Sequence, residues 1–283
     1  MELDRRNAEG LSVPYEEPDD LSGIVTNLAR VTTRGRQKLA NDPLTKAFLV
    51  SALKLTEELF LGSLGTADDV RPTMSYLSRP KVLAQTIADS PDLDPTPGKF
   101  RDRWSAHQHF LADFISYALT ARHWSLHIAL SKSVEEMLSS AEAFPDAVHR
   151  VAYEDLKLVL ELPAYRFQLL AVASAGADSV ASDALSKMYA TLSESWTALY
   201  AQVFRAHNVR FRPGISLETF NIILQSTAEG LGMRLLAGTD EPILDHETKS
   251  SILGTAAMGL YLGFVDPGDG LSVEEAAQKR ILE

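Results

Sequence analysis

Residues 96–114 read TPGKFRDRWSAHQHFLADF, and they contain the most informative local pattern in the chain. It opens with a hydroxyl, a proline and a glycine (96–98), which favour the capped start of a helix. Phe100 and Trp104 are four residues apart and therefore share one helical face. The basic side chains that this spacing turns outward are Lys99, Arg101 and Arg103. A short cationic helix on aromatic anchors, followed at once by another helix, is typical of a helix-turn-helix.

Helical periodicity extends over almost the whole chain, because apolar residues return at spacings of three and four. We find no convincing alternating β-branched run bounded by hairpin turns, so the predicted fold class is all-α. Several prolines mark breaks, since the residue before a proline is pushed out of helical geometry. The predicted helices cover about 19–40, 44–62, 79–89, 96–103, 105–121, 123–142, 146–161, 163–175, 179–207, 216–237 and 245–265.

Turn-forming residues are densest at 63–80 and 90–98, so the first 120 residues are more broken than the rest. We therefore predict a domain boundary near 120, which separates this part from a larger helical domain (121–283). The polar tail after Pro267 is compatible with a short terminal helix or with a mobile end.

The composition is that of an ordinary globular protein, with 45% hydrophobic and 23% charged residues among 283. The absence of cysteine excludes disulfides, thiolate metal sites and cysteine nucleophiles, and it suits a reducing cytoplasm. The first twenty residues lack the apolar core of a signal peptide, and charged residues interrupt the apolar stretch 48–64. We therefore expect a cytoplasmic protein with no membrane segment.

The net charge of −11 opposes nucleic-acid binding by the chain as a whole, so the distribution of charge decides this point. Residues 1–120 carry −3 and residues 121–283 carry −8. The exception is 30–54, where six cations and one acid, Asp42, give a local charge of +5. This segment is either a solvated helix face or a surface that faces an anion.

Catalytic and metal sites have little support in the sequence. Among seven histidines, His123 and His127 have the spacing of four that places two ligands on one face, but no third ligand lies near His123. The glycine-rich phosphate loop, the dinucleotide fingerprint and the hydrolase nucleophile elbow are absent from the chain. We therefore expect no metal, no cofactor and no enzymatic activity.

The segment 96–114 resembles the second DNA-binding helix of the TetR family of transcriptional regulators. The match consists of a cap, a glycine and apolar anchors at Thr96, Gly98, Phe100, Trp104, Phe110 and Leu111. The resemblance implies that this helix contacts double-stranded DNA, and His107 stands where the family usually has a lysine. The predicted DNA-binding residues are Thr96, Gly98, Lys99, Arg101, Arg103 and His107.

In the TetR family the long C-terminal helices enclose a ligand pocket, and the last two of them pack against their copies in a homodimer. The corresponding segments here are Leu217 to Leu236 and Thr248 to Phe264, within a resemblance that covers 44–265. The resemblance therefore implies an N-terminal extension with an extra helix (1–43), a helix-turn-helix DNA-binding domain (44–120) and a ligand-binding and dimerisation domain (121–283).

A mixture of aromatic and polar residues in this domain predicts where the ligand binds. Buried tyrosine and tryptophan need partners for their polar atoms, which a cavity holding a small apolar or aromatic effector would supply. A packed aromatic core is the other interpretation. The predicted pocket residues are Trp124, His127, Tyr165, Tyr189, Trp196 and Tyr200, with Phe220, Asn221 and Gln225 as lesser candidates.

Small residues recur in the last long helix, at Gly254, Ala256, Ala257, Gly259 and Gly263. Glycine inside a helix costs about 1 kcal/mol, so close approach of another helix has to offset this loss. That helix belongs either to the same chain or to a second copy. Gly230 and Gly232 in the preceding helix favour the second copy, and hence a homodimer.

Two functions remain open at this point. The chain is either a ligand-responsive homodimeric repressor that binds operator DNA, or a helical ligand-binding or protein-interaction protein of the same ancestry that has lost DNA recognition. The charge distribution distinguishes them, since a protein that binds duplex DNA should have positive potential along 30–54 and 96–103. In a protein that has lost recognition, that face is neutralised by the acids Asp89, Asp92, Asp94 and Asp102.

Overall fold

A computed structural model describes residues 20–30, 32–61, 77–120, 132, 135, 143–161, 163–174, 179–239 and 242–282. Over these residues the chain is mostly helical, which confirms the all-α prediction. The helices are α1 (Thr33–Ala40), α2 (Pro43–Leu61), α3 (Arg79–Asp89), α4 (Pro97–Arg103), α5 (107–120), α6 (Phe144–Glu161), α7 (Pro163–Ser174), α8 (Ser179–Ala206), α9 (Leu217–Leu236), α10 (Ile252–Phe264) and α11 (Val273–Leu282). A short antiparallel hairpin pairs β1 (Leu244–Asp245) with β2 (Ser250–Ser251), and Leu244 lies opposite Ser251.

The predicted helix 19–40 is wrong over most of its length, because the helix starts only at Thr33. Residues 20–30 contain a turn and irregular chain. The backbone N–H groups of Thr26 and Asn27 donate to the buried carboxylate of Asp113 in α5 rather than to a helical carbonyl. The conformation of this segment therefore depends on a long-range contact, which sequence periodicity cannot reveal.

The last long helix begins at Ile252 and not at 245, as the sequence predicted. The Asp245 carboxylate accepts from the backbone N–H groups of Glu247 and Thr248, which closes a turn between the two strands. Lys249 completes this turn in the left-handed region, at φ 51°. Local side-chain hydrogen bonding thus competes successfully with helix formation over these residues.

The other predicted helices that can be compared begin and end within two residues of the observed positions. The tail after Pro267, which the sequence left open, forms α11. The predicted helix 123–142 lies outside the described residues except at 132 and 135, which are helical. No helix in the described ranges is long and apolar enough to cross a membrane.

Two apolar clusters fill the interior of the described chain. The first is built from segment 20–30, α2, α4 and α5, but it also contains Phe167 of α7 and Leu185 and Met188 of α8. The second lies among α6, α8, α9 and α10. Helix α7 and the first half of α8 therefore pack against the N-terminal helices. The predicted boundary near 120 does not separate the two clusters.

Candidate functional site

The predicted recognition helix is α4, and it follows α3 through a tight connection. A 3-10 turn at Pro91–Leu93 and a left-handed Asp94, at φ 49°, redirect the chain between the two helices. Thr96 caps α4, because its hydroxyl accepts from the backbone N–H of Lys99 at 3.2 Å. A Cβ added at Gly98 would meet the Thr96 hydroxyl at an ordinary 3.8 Å. Packing within this chain therefore does not require glycine at 98.

An aromatic cluster holds α4 in place. Phe100 and Trp104 are fully buried, and Phe48 of α2 meets both rings edge-on. The ring centroid of Phe110 in α5 lies 5.0 Å from those of Phe100 and Trp104. The two residues anchor α4 as the sequence predicted, and α2, α4 and α5 form one packed unit.

Asp113 of α5 is the polar centre of this unit. Its fully buried carboxylate accepts from the backbone N–H groups of Thr26 and Asn27, from the Asn27 amide and from the Trp104 indole, at 2.8–3.2 Å. Burial raises the pKa of the Asp113 carboxyl, while the four N–H donors oppose the rise. The contacts fasten segment 20–30 to α4 and α5.

The cations on α4 lie in different surroundings. The Lys99 ammonium group reaches back to the preceding turn, where it contacts the Asp94 carbonyl at 2.8 Å and the Asp94 carboxylate at 3.0 Å. Arg101 is exposed. Lys99 is thus paired with the turn before α4, whereas Arg101 is exposed and has no such ion pair.

Arg103 corrects the prediction that all three cations point outward. Its side chain is buried, and its guanidinium donates to the Thr45 hydroxyl at 2.9 Å, to the Lys99 carbonyl at 2.9 Å and to the Asp42 carboxylate. A guanidinium engaged on this many of its donors has little left for phosphate. Arg103 joins α4 to the start of α2.

His107 likewise turns inward, although it was predicted to contact DNA. It is half-buried and stacks on Phe110, with ring centroids 5.7 Å apart. Burial, and secondarily the Arg79 guanidinium, lower the pKa of His107 from its usual value near 6.5. The imidazole is therefore mostly neutral at pH 7 and does not replace the cationic lysine of the TetR pattern.

A second set of cations belongs to the segment from Arg30 to Lys38, which begins near the C-terminal end of α4. The backbone N–H of Ala29 donates to the carbonyl of Arg103 at 2.7 Å, which places the next residue, Arg30, near α4. Arg36 is half-buried, and its guanidinium donates to the Arg30 carbonyl. The exposed members of this set, here named the N-terminal cations, are Arg30, Arg34 and Lys38.

A cavity of about 120 Å³ lies inside the second apolar cluster. Helices α6, α8, α9 and α10 each turn one stripe of side chains toward it, and α7 contributes Tyr165. An engineered apolar cavity of about 150 Å³ binds benzene, so this space suits about one aromatic ring. The apolar wall includes Val148, Val151, Leu192, Leu224, Leu253 and Met258.

The structure brings together part of the predicted pocket. The predicted residues that line the cavity are Tyr165, Trp196, Tyr200, Phe220 and Gln225. Trp196 and Tyr200 stack with centroids 5.2 Å apart, so part of the aromatic surface packs on itself. Trp124 and His127 lie outside the described residues.

Tyr189 and Asn221 were also predicted to line the pocket, but they are not among the described lining residues. The Tyr189 hydroxyl accepts from Gln168 and donates to Glu229. The Asn221 amide donates to the Ser193 carbonyl and hydroxyl on the neighbouring helix α8. Both side chains are used to join helices.

Two acidic residues that the sequence analysis did not single out line the cavity, Asp155 of α6 and Glu229 of α9. The Glu229 carboxylate accepts from the Gln168 amide at 3.0 Å and from the Tyr189 hydroxyl at 3.3 Å. Burial, and secondarily the Asp155 carboxylate, raise the pKa of Tyr200 well above its usual value. The cavity thus combines an apolar wall with a few polar groups, as small-molecule sites do.

Both acids carried a signal in the sequence. Asp155 stands in the apolar stripe of α6, three residues after Ala152 and four before Val159. Glu229 follows Gln225 by four residues and therefore shares its helical face. A charged residue within an apolar stripe is a candidate site residue, because burial of a charge needs compensation.

Stripes of exposed or half-buried apolar and small residues run along α9 and α10, two helices that pack against each other. Their members, here named the α9–α10 face, are Ile222, Ile223, Ser226, Gly230 and Met233 on α9 and Ile252, Thr255, Gly259, Leu262 and Gly263 on α10. These residues carry no charge, and Ile222 and Leu262 are 58% and 66% exposed. Apolar surface of this kind marks interaction sites when it is contiguous.

The glycines of α9 and α10 differ in how closely other residues approach them. A Cβ added at Gly254 would lie 2.5 Å from Nδ1 of His149, and one at Gly232 would lie 2.8 Å from a methyl carbon of Val159. Both glycines therefore allow close packing on α6 within the chain. A Cβ at Gly259 would meet nothing within 4 Å. Packing within the chain thus accounts for Gly254 and Gly232 but not for Gly259.

No group of three or more metal-ligating side chains occurs in the part of the chain that the structure describes. Comparison with known proteins found no matching protein family, no matching curated protein and no matching solved structure.

Proposed function

We propose that the protein is a cytoplasmic, ligand-responsive homodimeric regulator of the TetR type that binds double-stranded DNA and a small apolar or aromatic effector. The observation that carries this proposal is the arrangement of α3, a tight turn and the capped helix α4 on aromatic anchors. This arrangement occurs in the same chain as a cavity that suits one aromatic ring.

The DNA-facing surface in this proposal combines Arg101 with the N-terminal cations. Lys99 is paired with Asp94, and Arg103 and His107 turn inward, so α4 alone offers little positive potential. Affinity for duplex DNA comes largely from several simultaneous phosphate contacts. Arg30 beside α4 and the exposed cations of α1 supply further positive charge in this proposal.

Replacing Arg101 by alanine is expected to weaken duplex binding several-fold and to reduce the slope of log affinity against log salt by about 1, because one phosphate contact is lost. The melting temperature should not change, since the side chain is exposed. Fluorescence anisotropy titrations at several salt concentrations measure both quantities.

Arg205→Ala is the matched control for this change. Arg205 is exposed near the end of α8, about 25 Å along the helix beyond Met188 of the first cluster. The control removes the same charge away from α4 and should leave the salt slope unchanged. Equal effects of the two variants would show that net charge, and not this surface, controls binding.

Helix α7 offers a physical route from the cavity to α4. Tyr165 lines the cavity, and two residues later Phe167 meets Phe114 of α5 edge-on at 5.3 Å. A ligand that prefers one position of α7 would bias the position of α5 and thereby of the recognition helix. A coupling of about 1–3 kcal/mol is sufficient for a useful response.

The homodimer in this proposal forms through the α9–α10 face. Gly259→Leu is expected to overpack the contact between the two α9–α10 faces and weaken association by about 1–3 kcal/mol, which shifts the protein toward monomer. The variant should fold normally, because Gly259 is exposed and a Cβ there would have no described atom within 4 Å. Sedimentation velocity at several protein concentrations measures the shift.

Gln202→Leu provides the control for the dimer test, since it adds a leucine at an exposed position of α8, outside the α9–α10 face. Its dimer should be as stable as that of the wild type. A wild-type protein that sediments as a monomer, or a Gly259→Leu dimer of unchanged stability, would contradict the assignment.

A second candidate is a helical ligand-binding or interaction protein that has lost DNA recognition. The local charge around α4 favours it, because Lys99 pairs with Asp94 while the acids Asp92, in the turn before α4, and Asp102, next to Arg101 in the chain, are exposed. In this case the cavity and the α9–α10 face keep their roles, and duplex binding is missing.

A further inference from the structure

We infer that the cavity takes a cationic ligand, specifically an amine attached to a single aromatic ring, with Glu229 as its anionic partner and the negative charge of Asp155 in the same wall. This inference rests on the proposed role of the cavity as the effector site and narrows the chemistry of the effector.

The charges along the wall point to a cation. The described lining residues include two carboxylates, those of Asp155 and Glu229, and no lysine, arginine or histidine. Glu229 accepts hydrogen bonds from Gln168 and Tyr189, both of which are neutral donors. A carboxylate has about four acceptor positions, so two remain for a ligand. A charged donor is the strongest partner for them.

The aromatic part of the wall has the same preference. Tyr165, Trp196 and Tyr261 belong to it, together with further rings from α6, α8 and α9. The faces of aromatic rings carry partial negative charge and attract cations, most strongly where water is excluded. An anionic ligand would meet repulsion from both the rings and the carboxylates.

The volume limits the apolar part of the ligand. At about 120 Å³ the cavity is slightly smaller than an engineered cavity of about 150 Å³ that holds benzene. One ring with a short side chain therefore fits in this volume. Phenylethyl compounds match this size and exist in three charge states.

Isothermal titration of the full chain with 2-phenylethylamine, 2-phenylethanol and phenylacetate tests the inference. The amine is a cation at pH 7, the alcohol is neutral and the acid is an anion, while the ring and chain length stay the same. We expect the amine to bind about tenfold or more tightly than the alcohol, and phenylacetate to bind more weakly than both.

Glu229→Gln tests whether the Glu229 carboxylate causes the preference for the amine over the alcohol. Glutamine has the same shape, and its amide can still accept from Gln168 and donate to the Tyr189 hydroxyl, so the fold should be retained. The variant should lose most of its preference for the amine while its affinity for the alcohol stays the same.

Asp155→Asn serves as a second variant. Glu194→Gln, on an exposed part of α8 away from the cavity, is the charge-matched control and should bind as the wild type does.

The outcomes separate the ligand chemistry from the proposed function. Equal affinity for amine and alcohol, or an amine preference that survives in both acid variants, overturns the inference although the cavity still binds ligand. Failure of all three probes to bind also overturns it. DNA binding is measured independently by its salt dependence, so a failure of the regulator proposal is visible separately.

Discussion

Replacing Asp113 by alanine is expected to lower the free energy of unfolding by on the order of 3 kcal/mol or more. The carboxylate accepts from four N–H donors, which belong to Thr26, Asn27 and Trp104, and the change leaves them without this partner in a buried setting. Part of the loss is offset because a buried carboxylate no longer has to be desolvated. Urea denaturation followed by circular dichroism measures the difference.

Asp102→Ala is the control, since Asp102 is an exposed carboxylate on α4. Its effect should stay within about 0.5 kcal/mol. Asp113→Asn should fall between the two, because asparagine keeps one acceptor oxygen but an amide nitrogen can replace the oxygen that faces the Trp104 indole N–H. If Asp113→Ala is no more destabilising than Asp102→Ala, the buried carboxylate is not the polar centre that joins segment 20–30, α4 and α5.

Replacing Trp104 by alanine should destabilise the fold by about 3–5 kcal/mol, the usual range for a large aromatic residue removed from a core. Its side chain is fully buried against Phe48, Phe100 and Phe110, so few of its contacts can be replaced by rearrangement. Thermal and urea unfolding both report the loss. Because Trp104 anchors α4, the variant should also bind duplex DNA more weakly.

Trp104→Phe separates packing from hydrogen bonding. Phenylalanine keeps most of the aromatic contact but loses the indole N–H that donates to Asp113, so the cost should be closer to about 1 kcal/mol. Combined with Asp113→Ala, its effect should be less than additive, since both changes remove the same hydrogen bond. A fully additive pair would mean that this bond contributes nothing to stability.

The sequence predicted the parts of α4 that depend on near neighbours. The Thr96 cap acts three residues away, and Phe100 and Trp104 share a face because they are four residues apart. Arg103 was misplaced because its partners Thr45 and Asp42 lie 58 and 61 residues away. Periodicity places a side chain on a face but does not identify what covers that face.

For the pocket, too, the sequence predicted positions along one helix but not contacts between helices. The aromatic spacing of α8 placed Trp196 and Tyr200 correctly at the cavity, because both follow the apolar stripe of that helix. The spacing could not show that Tyr189 instead meets Gln168 and Glu229 on other helices. Which glycine packs inside the chain also depends on the neighbouring helix, which no single sequence reveals.

A salt series of duplex binding decides whether the protein is a DNA-binding regulator. In a DNA-binding protein, Arg101 and the N-terminal cations would provide up to four phosphate contacts per protomer, so a dimer could make about eight. The slope of log affinity against log salt should then reach about −7, and binding should weaken by about four orders of magnitude between about 50 and 200 mM NaCl.

The measurement uses the full-length wild-type chain and a random duplex, titrated by fluorescence anisotropy at four or more salt concentrations. Steep weakening with salt is the result expected of a DNA-binding dimer. Absence of binding at the lowest salt, or binding that does not change with salt, would contradict the regulator and leave a helical ligand-binding protein that has lost DNA recognition.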